Sequence, residues 1–530
     1  MDPARRRALQ AALAAAGVAL VPARADTRDA PIARTRSGAV SGLRFVEPRQ
    51  PDILCFRGIP YAADTRETRF LPPRPESPWR GVRDGTRFGP PAPQTGALAP
   101  GAEDCLVLNV WTPALADGGK RPILVYVHGG GYNTGAGDDP LYDGTRLCRR
   151  GDVVVVTVNH RLNVFGYLHL GEFDPRYADS GNVGQRDLVA ALRWVREHAA
   201  EFGGDADRVT LFGQSGGGAK IATLMAMPEA AGLFHRAMLM SGQQVTAAGP
   251  RAAAQRARML LDALGVAPER LDALRTLPAD ALLQAARIRD PSRIEDMRLY
   301  LGPVLDGRSL PRHPFHPDAP AQSAAVPMII GNTRDETRAF LGDDAANHAL
   351  TWSQLPERLR REQYVDLPVE TVVAEYRRLY PHYTPSQVFF AATTAGRSWR
   401  GAVLTAEARA RQGAPTWVYQ LDFPSPLEGG RFGAMHTLDI PLVFDNIRQP
   451  GSRTGAGSEA QRVADAMSDA TIAFARTGDP GHDGLPRWPP YDLQRRATMR
   501  FDVESRVEDD PRGGERRLYE RAPFVQRGTF

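Results

Sequence analysis

A short apolar run, Val209, Thr210, Leu211 and Phe212, stops abruptly at Gly213, Gln214, Ser215, Gly216, Gly217 and Gly218. A serine with glycines two residues before and two after it, set between a strand and a helix, forces a very sharp turn. Larger side chains at the glycines would collide with the flanking elements, while the serine hydroxyl is pushed into the open. This G-x-S-x-G elbow makes Ser215 the candidate nucleophile. The pentapeptide also arises by chance in glycine-rich chains, so the reading depends on its partners.

The surrounding pattern is that of an α/β protein. Two near-continuous apolar runs, 123–127 and 153–158, read as strands covered on both faces, which belong in the middle of a parallel sheet. Leu188, Leu192, Val195 and Ala199 repeat with helical spacing, ended by Gly203 and Gly204. A strand, helix, strand, helix order implies right-handed crossovers and a large, mostly parallel central sheet flanked by helices. Before it, residues 37–110 alternate short apolar runs with proline and glycine turns, as expected for an antiparallel β region. Residues 251–289 read as an Ala/Leu/Arg-rich helix, and helical insertions are expected over about 251–320 and 340–415. Further strands are expected at 328–331 and 416–423, and a helix at 459–476. No repeat or linker divides the chain, so residues 26–530 read as one catalytic domain.

The net charge of +5 does not indicate a nucleic-acid partner. Lysine occurs only at Lys120 and Lys220, and the arginines are scattered among acids. Arg5, Arg6 and Arg7 precede an apolar stretch, 8–21, and then Ala23, Arg24 and Ala25. This reads as a cleaved signal peptide over 1–25, of Sec or twin-arginine type, and an exported, periplasmic or secreted chain; the alternative is an Ala-rich helix. The stretch is too short for a stable membrane anchor. Three cysteines without C-x-x-C or Cys/His spacing argue against both a disulfide scaffold and a structural zinc site, at most one bridge can form, and no cofactor is expected.

A serine needs a base and the base an acid. The best acid is Glu336, just after the apolar run 328–330, with Asp335 as rival; the best base is His436, in Gly433, Ala434, Met435, His436. Each lies in a loop following a strand, where sites of parallel sheets collect. After the run 123–127 come His128, Gly129, Gly130 and Gly131, whose backbone N–H groups can face a developing oxyanion, together with the N–H of Gly216. No P-loop or dinucleotide motif accompanies these glycines.

These motifs resemble the type-B carboxylesterases, the carboxylesterase and cholinesterase relatives of the α/β-hydrolase fold. The resemblance is carried by Phe56 to Ala62, Arg69 to Pro73, Glu103 to Leu106 with Leu108 to Val110, and Gly181, Asn182, Gly184 and Asp187. It continues through Phe202 to Asp205, Arg334 to Glu336, Gly433 to His436 and Phe474 to Pro480. It implies a Ser215, Glu336, His436 triad, an oxyanion hole from Gly130, Gly131 and Gly216, and Ser241 as support for the acid. The implied activity is hydrolysis of a small-molecule carboxylic ester through an acyl-enzyme, by a monomer or homodimer. An amidase or carbamate hydrolase of the same fold, or a non-catalytic adhesion relative, are the alternatives. The chain departs from the family pattern at Gln214, Gly216 and Thr337. Where the family's first disulfide partner falls stands Ala92, so Cys105 is expected to be a free, buried thiol. Position relative to Pro303–Gly307 marks Met297, Leu299 and Leu301 as acyl-pocket candidates, ordinary core packing being the alternative. No tryptophan lies between Gln94 and Glu103, which argues against a choline ester.

Overall fold

The computed structural model describes residues 24–26, 30–96, 101–290, 298–524 and 526. Its strands are β1 (Arg24–Asp26), β2 (Ile32–Arg34), β3 (Ala39–Ser41), β4 (Leu43–Val46), β5 (Ile53–Pro60), β6 (Val82–Asp84), β7 (Val107–Thr112) and β8 (Arg121–Val127). They continue with β9 (Val154–Val158), β10 (Gly204–Gln214), β11 (Arg236–Met240), β12 (Met328–Thr333), β13 (Thr416–Leu421), β14 (Ala497–Phe501) and β15 (Arg506–Asp509). Twelve of these form one sheet in the order β1-β4-β5-β7-β9-β8-β10-β11-β12-β13-β14-β15, and β2, β3 and β6 form a small second sheet. From β9 to β14 every neighbouring pair is parallel, while β1, β4, β5 and β7 pair antiparallel. The expected antiparallel region and parallel core are therefore both present. The expected leader falls mostly on residues 1–23, outside the described residues.

The continuous apolar runs follow from burial on both faces. Along β8, Ile123, Val125 and Val127 pack into one core cluster and Leu124 and Tyr126 into another. On β9, Val154, Val156 and Val158 face the first cluster and Val155 the second. Side chains alternate across a strand, so a sheet with helices on both sides must be apolar at every position. The helix Val183–His198 covers the first face through Leu188, Val189, Ala191, Leu192 and Val195. The helix Ser458–Thr477 covers the other through Val463, Ala464, Met467 and Phe474.

The expected helix at 251–289 is three pieces: Pro250–Leu264, a 3-10 segment Pro268–Arg275, and Ala279–Ala285. Gly265 ends the first piece in the left-handed region, φ +64°, and the prolines at 268 and 278 stand at or just before the starts of the next two. Residues 340–415 carry the helices Leu355–Glu362, Val369–Leu379, Pro385–Thr394 and Arg400–Gln412.

In chain order β9 lies on one side of β8 and β10 on the other, so connections diverge at β8. Such a reversal opens a crevice at the strands' carboxyl ends. Beside it, Arg161, just after β9, forms a two-pronged ion pair with Asp187 of the helix Val183–His198, 2.8 and 2.6 Å, both side chains buried. Removing one partner strands a buried charge. Asp187→Asn is therefore expected to lower stability by about 3–5 kcal/mol, read as an earlier midpoint in guanidinium chloride. An unchanged midpoint would contradict the buried pair.

Candidate active site

β10 ends at Gln214, and Ser215 makes the turn into the helix Gly216–Leu224 with φ 57° and ψ −126°. A non-glycine residue held there is strained by about 1–3 kcal/mol. The glycines around it mark close backbone approach. A Cβ on Gly217 would lie 1.9 Å from the Val127 carbonyl oxygen, and one on Gly216 would lie 2.1 Å from that of Gly131. Gly130 and Gly131 are themselves in the left-handed region, φ +85° and +62°. The glycine loop after β8 is thus folded directly against the elbow, and the three oxyanion candidates Gly130, Gly131 and Gly216 come together.

Glu336 follows β12 and is wholly buried. One carboxylate oxygen accepts from the Thr333 N–H at 2.9 Å and from Asn332 Nδ2 at 3.1 Å. The other accepts a short hydrogen bond from Nδ1 of His436. A carboxylate only accepts when ionised, so the hydrogen sits on Nδ1 and Nε2 is the ring's acceptor; among the described residues no hydrogen bond joins it to Ser215 Oγ. Burial alone would raise the Glu336 pKa. The His436 charge and hydrogen bond, Ser241 and the Thr333 N–H outweigh it, and the net shift is downward. The buried Ser241 hydroxyl stands beside this carboxylate, although it completes no well-aligned hydrogen bond.

The rival acid, Asp335, does different work. Its Oδ2 accepts from the Ala434 N–H at 3.0 Å, its own N–H donates to the Ala434 carbonyl, and it faces Arg334 and Arg338. It clamps the histidine loop to the acid loop. Gly433 is required there because a Cβ would meet Asp335 Oδ2 at 2.5 Å.

Three contacts were not legible in the sequence. The Gln214 side-chain amide lies 3.2 Å from Nε2 and 3.3 Å from Nδ1 of His436, which brings the residue before the serine onto the histidine ring. Thr337 anchors to the helix Pro385–Thr394 through Phe390, Thr393 and Thr394. Asp439, three residues past His436, is buried and accepts from the Tyr419 hydroxyl at 2.8 Å. Leu299 and Leu301 are buried in a cluster shared with Tyr132 and with Ala219 of the elbow helix, while Met297 lies outside the described residues. Cys105 is a free, buried thiol, as expected.

The family model described as "Carboxylesterase family" matches residues 29–518. This chain belongs to that family. The carboxylesterase is 37% identical to the para-nitrobenzyl esterase of Bacillus subtilis (strain 168), over 87% of this chain and 94% of the relative. It is 36% identical to the phenmedipham hydrolase of Pseudarthrobacter oxydans, over 87% and 93%. The crystal structure of the Geobacillus stearothermophilus carboxylesterase Est55 matches with TM-score 0.80 and 40% identity, covering 92% of this chain and 99% of that one. The fold is accordingly the α/β-hydrolase fold, and the chain is a carboxylic ester hydrolase.

Burial raises the Asp439 pKa to about 6, with the Glu336 charge adding to it; Tyr419 and His436 oppose the shift. An acid with a raised folded pKa costs stability above that pKa, and the cost vanishes below its unfolded value. Asp439→Asn is expected to be more stable than the parent at pH 8, by up to about 3 kcal/mol. That advantage should disappear below about pH 4; thermal denaturation across pH reads it, and a gain independent of pH would contradict the assignment.

Proposed function

We propose that this carboxylesterase hydrolyses its ester with Ser215 as nucleophile, His436 as base and Glu336 as the acid that orients it. The observation that carries the reading is the buried Glu336–His436 hydrogen bond, standing against an elbow whose Gln214 touches the same ring. Ser215 Oγ attacks the ester carbonyl carbon while Nε2 of His436 takes its proton. The carbonyl oxygen becomes an oxyanion, which the N–H groups of Gly130, Gly131 and Gly216 stabilise. The imidazolium gives its proton to the departing alcohol and leaves an acyl-serine. A water then loses a proton to His436 and attacks the acyl carbon, and Ser215 leaves protonated as the free acid departs.

Leu299 and Leu301 are the candidates for the acyl side, next to Tyr132, and Ser241 supports the acid. The reading also includes export, with a leader cleaved ahead of Asp26, supported by the arginines at 5–7 and the apolar stretch behind them; such cleavage would take Arg24 and Ala25 of the edge strand β1 with the leader.

A fluorophosphonate probe is expected to label Ser215 and nothing else at one equivalent. Ser215→Ala should lose labelling and about four to six orders of magnitude in kcat/KM on a p-nitrophenyl ester. Glu336→Gln should lose about four orders in kcat, since the amide presents a donor where Nδ1–H needs an acceptor. Matched ester and anilide substrates separate esterase from amidase, and only the ester is expected to turn over. Labelling elsewhere, or a Ser215→Ala variant with parent activity, would overturn the proposal.

A further inference from the structure

Lys220, one of only two lysines in the chain, stands five residues after Ser215 on the elbow helix and is wholly buried. Its Nζ donates to the His128 carbonyl at 3.0 Å. Among the described residues no carboxylate pairs with it, and burial lowers its pKa to about 7. The groups that face it are neutral. The Tyr132 ring lies 5.9 Å from Nζ, and burial pushes its phenol up. The His128 and His160 imidazoles stack with centroids 4.7 Å apart, both held unprotonated by burial first and the Lys220 charge next, His128 at about 3. A buried cation without an anion is costly, and strongly perturbed titratable groups cluster at functional sites.

His128 opens the glycine loop. Its Nδ1 lies 2.9 Å from the Gly129 carbonyl, which can only accept, so Nδ1 carries the hydrogen. That carbonyl shares a peptide group with the Gly130 N–H. Two donors therefore draw on consecutive peptides: Lys220 on His128–Gly129 and the His128 ring on Gly129–Gly130. Each polarises its peptide and strengthens the N–H at the far side.

We propose that Lys220 is a positioning residue for the oxyanion hole: anchored on the His128 carbonyl, it fixes the turn that presents the Gly130 N–H and supplies the positive potential that a substrate oxyanion meets. The proposal rests on the Ser215 reading above. A lysine that merely held the loop would serve equally well uncharged, because a neutral amine still donates.

The test compares wild type with Lys220→Met and Lys220→Arg, using p-nitrophenyl acetate across neutral and alkaline pH and the rate of fluorophosphonate labelling. Lys220→Met should lose about 100-fold in kcat with KM changed by less than about threefold, and label correspondingly slowly. Wild-type kcat should decline as pH rises through about 7, where the ammonium is lost, and Lys220→Arg, charged throughout, should keep its activity on the alkaline side. If Lys220→Met does not fold, the wild-type pH profile still decides. A wild type that labels normally but whose kcat stays level on the alkaline side overturns the role of Lys220, as does a folded Lys220→Met with parent kcat and labelling rate. A wild type that does not label at Ser215 fails the underlying reading instead.

Discussion

An ionised carboxylate with no exposure to water can persist only if fixed donors replace its hydration, and at Glu336 those donors define the site. The Thr333 N–H and Asn332 hold one oxygen and His436 holds the other. Glu336 and His436 come from loops after neighbouring parallel strands, β12 and β13, a hundred residues apart. Their contact therefore requires β12 and β13 to pair in register. Asp335 and Ala434 close the same two loops through paired backbone and side-chain bonds, so the loop carrying the ring is held by more than the carboxylate.

The two central strands carry the complementary parts. β8 ends in the glycine loop, β10 in Ser215, and they are neighbours in the sheet at the point where connections diverge. What lets the two loops touch is the missing side chains: Gly216 and Gly217 meet backbone carbonyls at distances no Cβ could accept. The strain at Ser215 is held by its surroundings, its N–H bonded to the Met240 carbonyl of β11 at 2.8 Å. Scaffold rigidity, backbone approach and the buried acid are thus three expressions of one parallel sheet.

The fold was legible because two-sided burial writes itself as unbroken apolar runs at 123–127 and 153–158, and strand ends could be read from the glycines and acids that follow them. Chain order and local setting also singled out Ser215, Glu336 and His436. The break-up of 251–289 was not anticipated, although Gly265, Pro268 and Pro278 are in the sequence; alanine and leucine content masked their stop signals. In the sequence Gln214 is only a departure from the family pattern, yet its amide sits on the His436 ring, a contact across more than two hundred residues that no local pattern encodes. Lys220 and Asp439 show the same limit. Their importance lies in burial without a full set of partners, which only the folded arrangement reveals.

The arrangement rests on Nδ1 of His436 donating its hydrogen to the buried carboxylate of Glu336. One-dimensional proton NMR of the folded enzyme, with nitrogen-15 in its histidines, tests it most directly. A single nitrogen-bound resonance far downfield of the amide envelope, absent in Glu336→Gln, is the result this account predicts. No such resonance in folded protein, or one that persists after Glu336 is replaced, would contradict it.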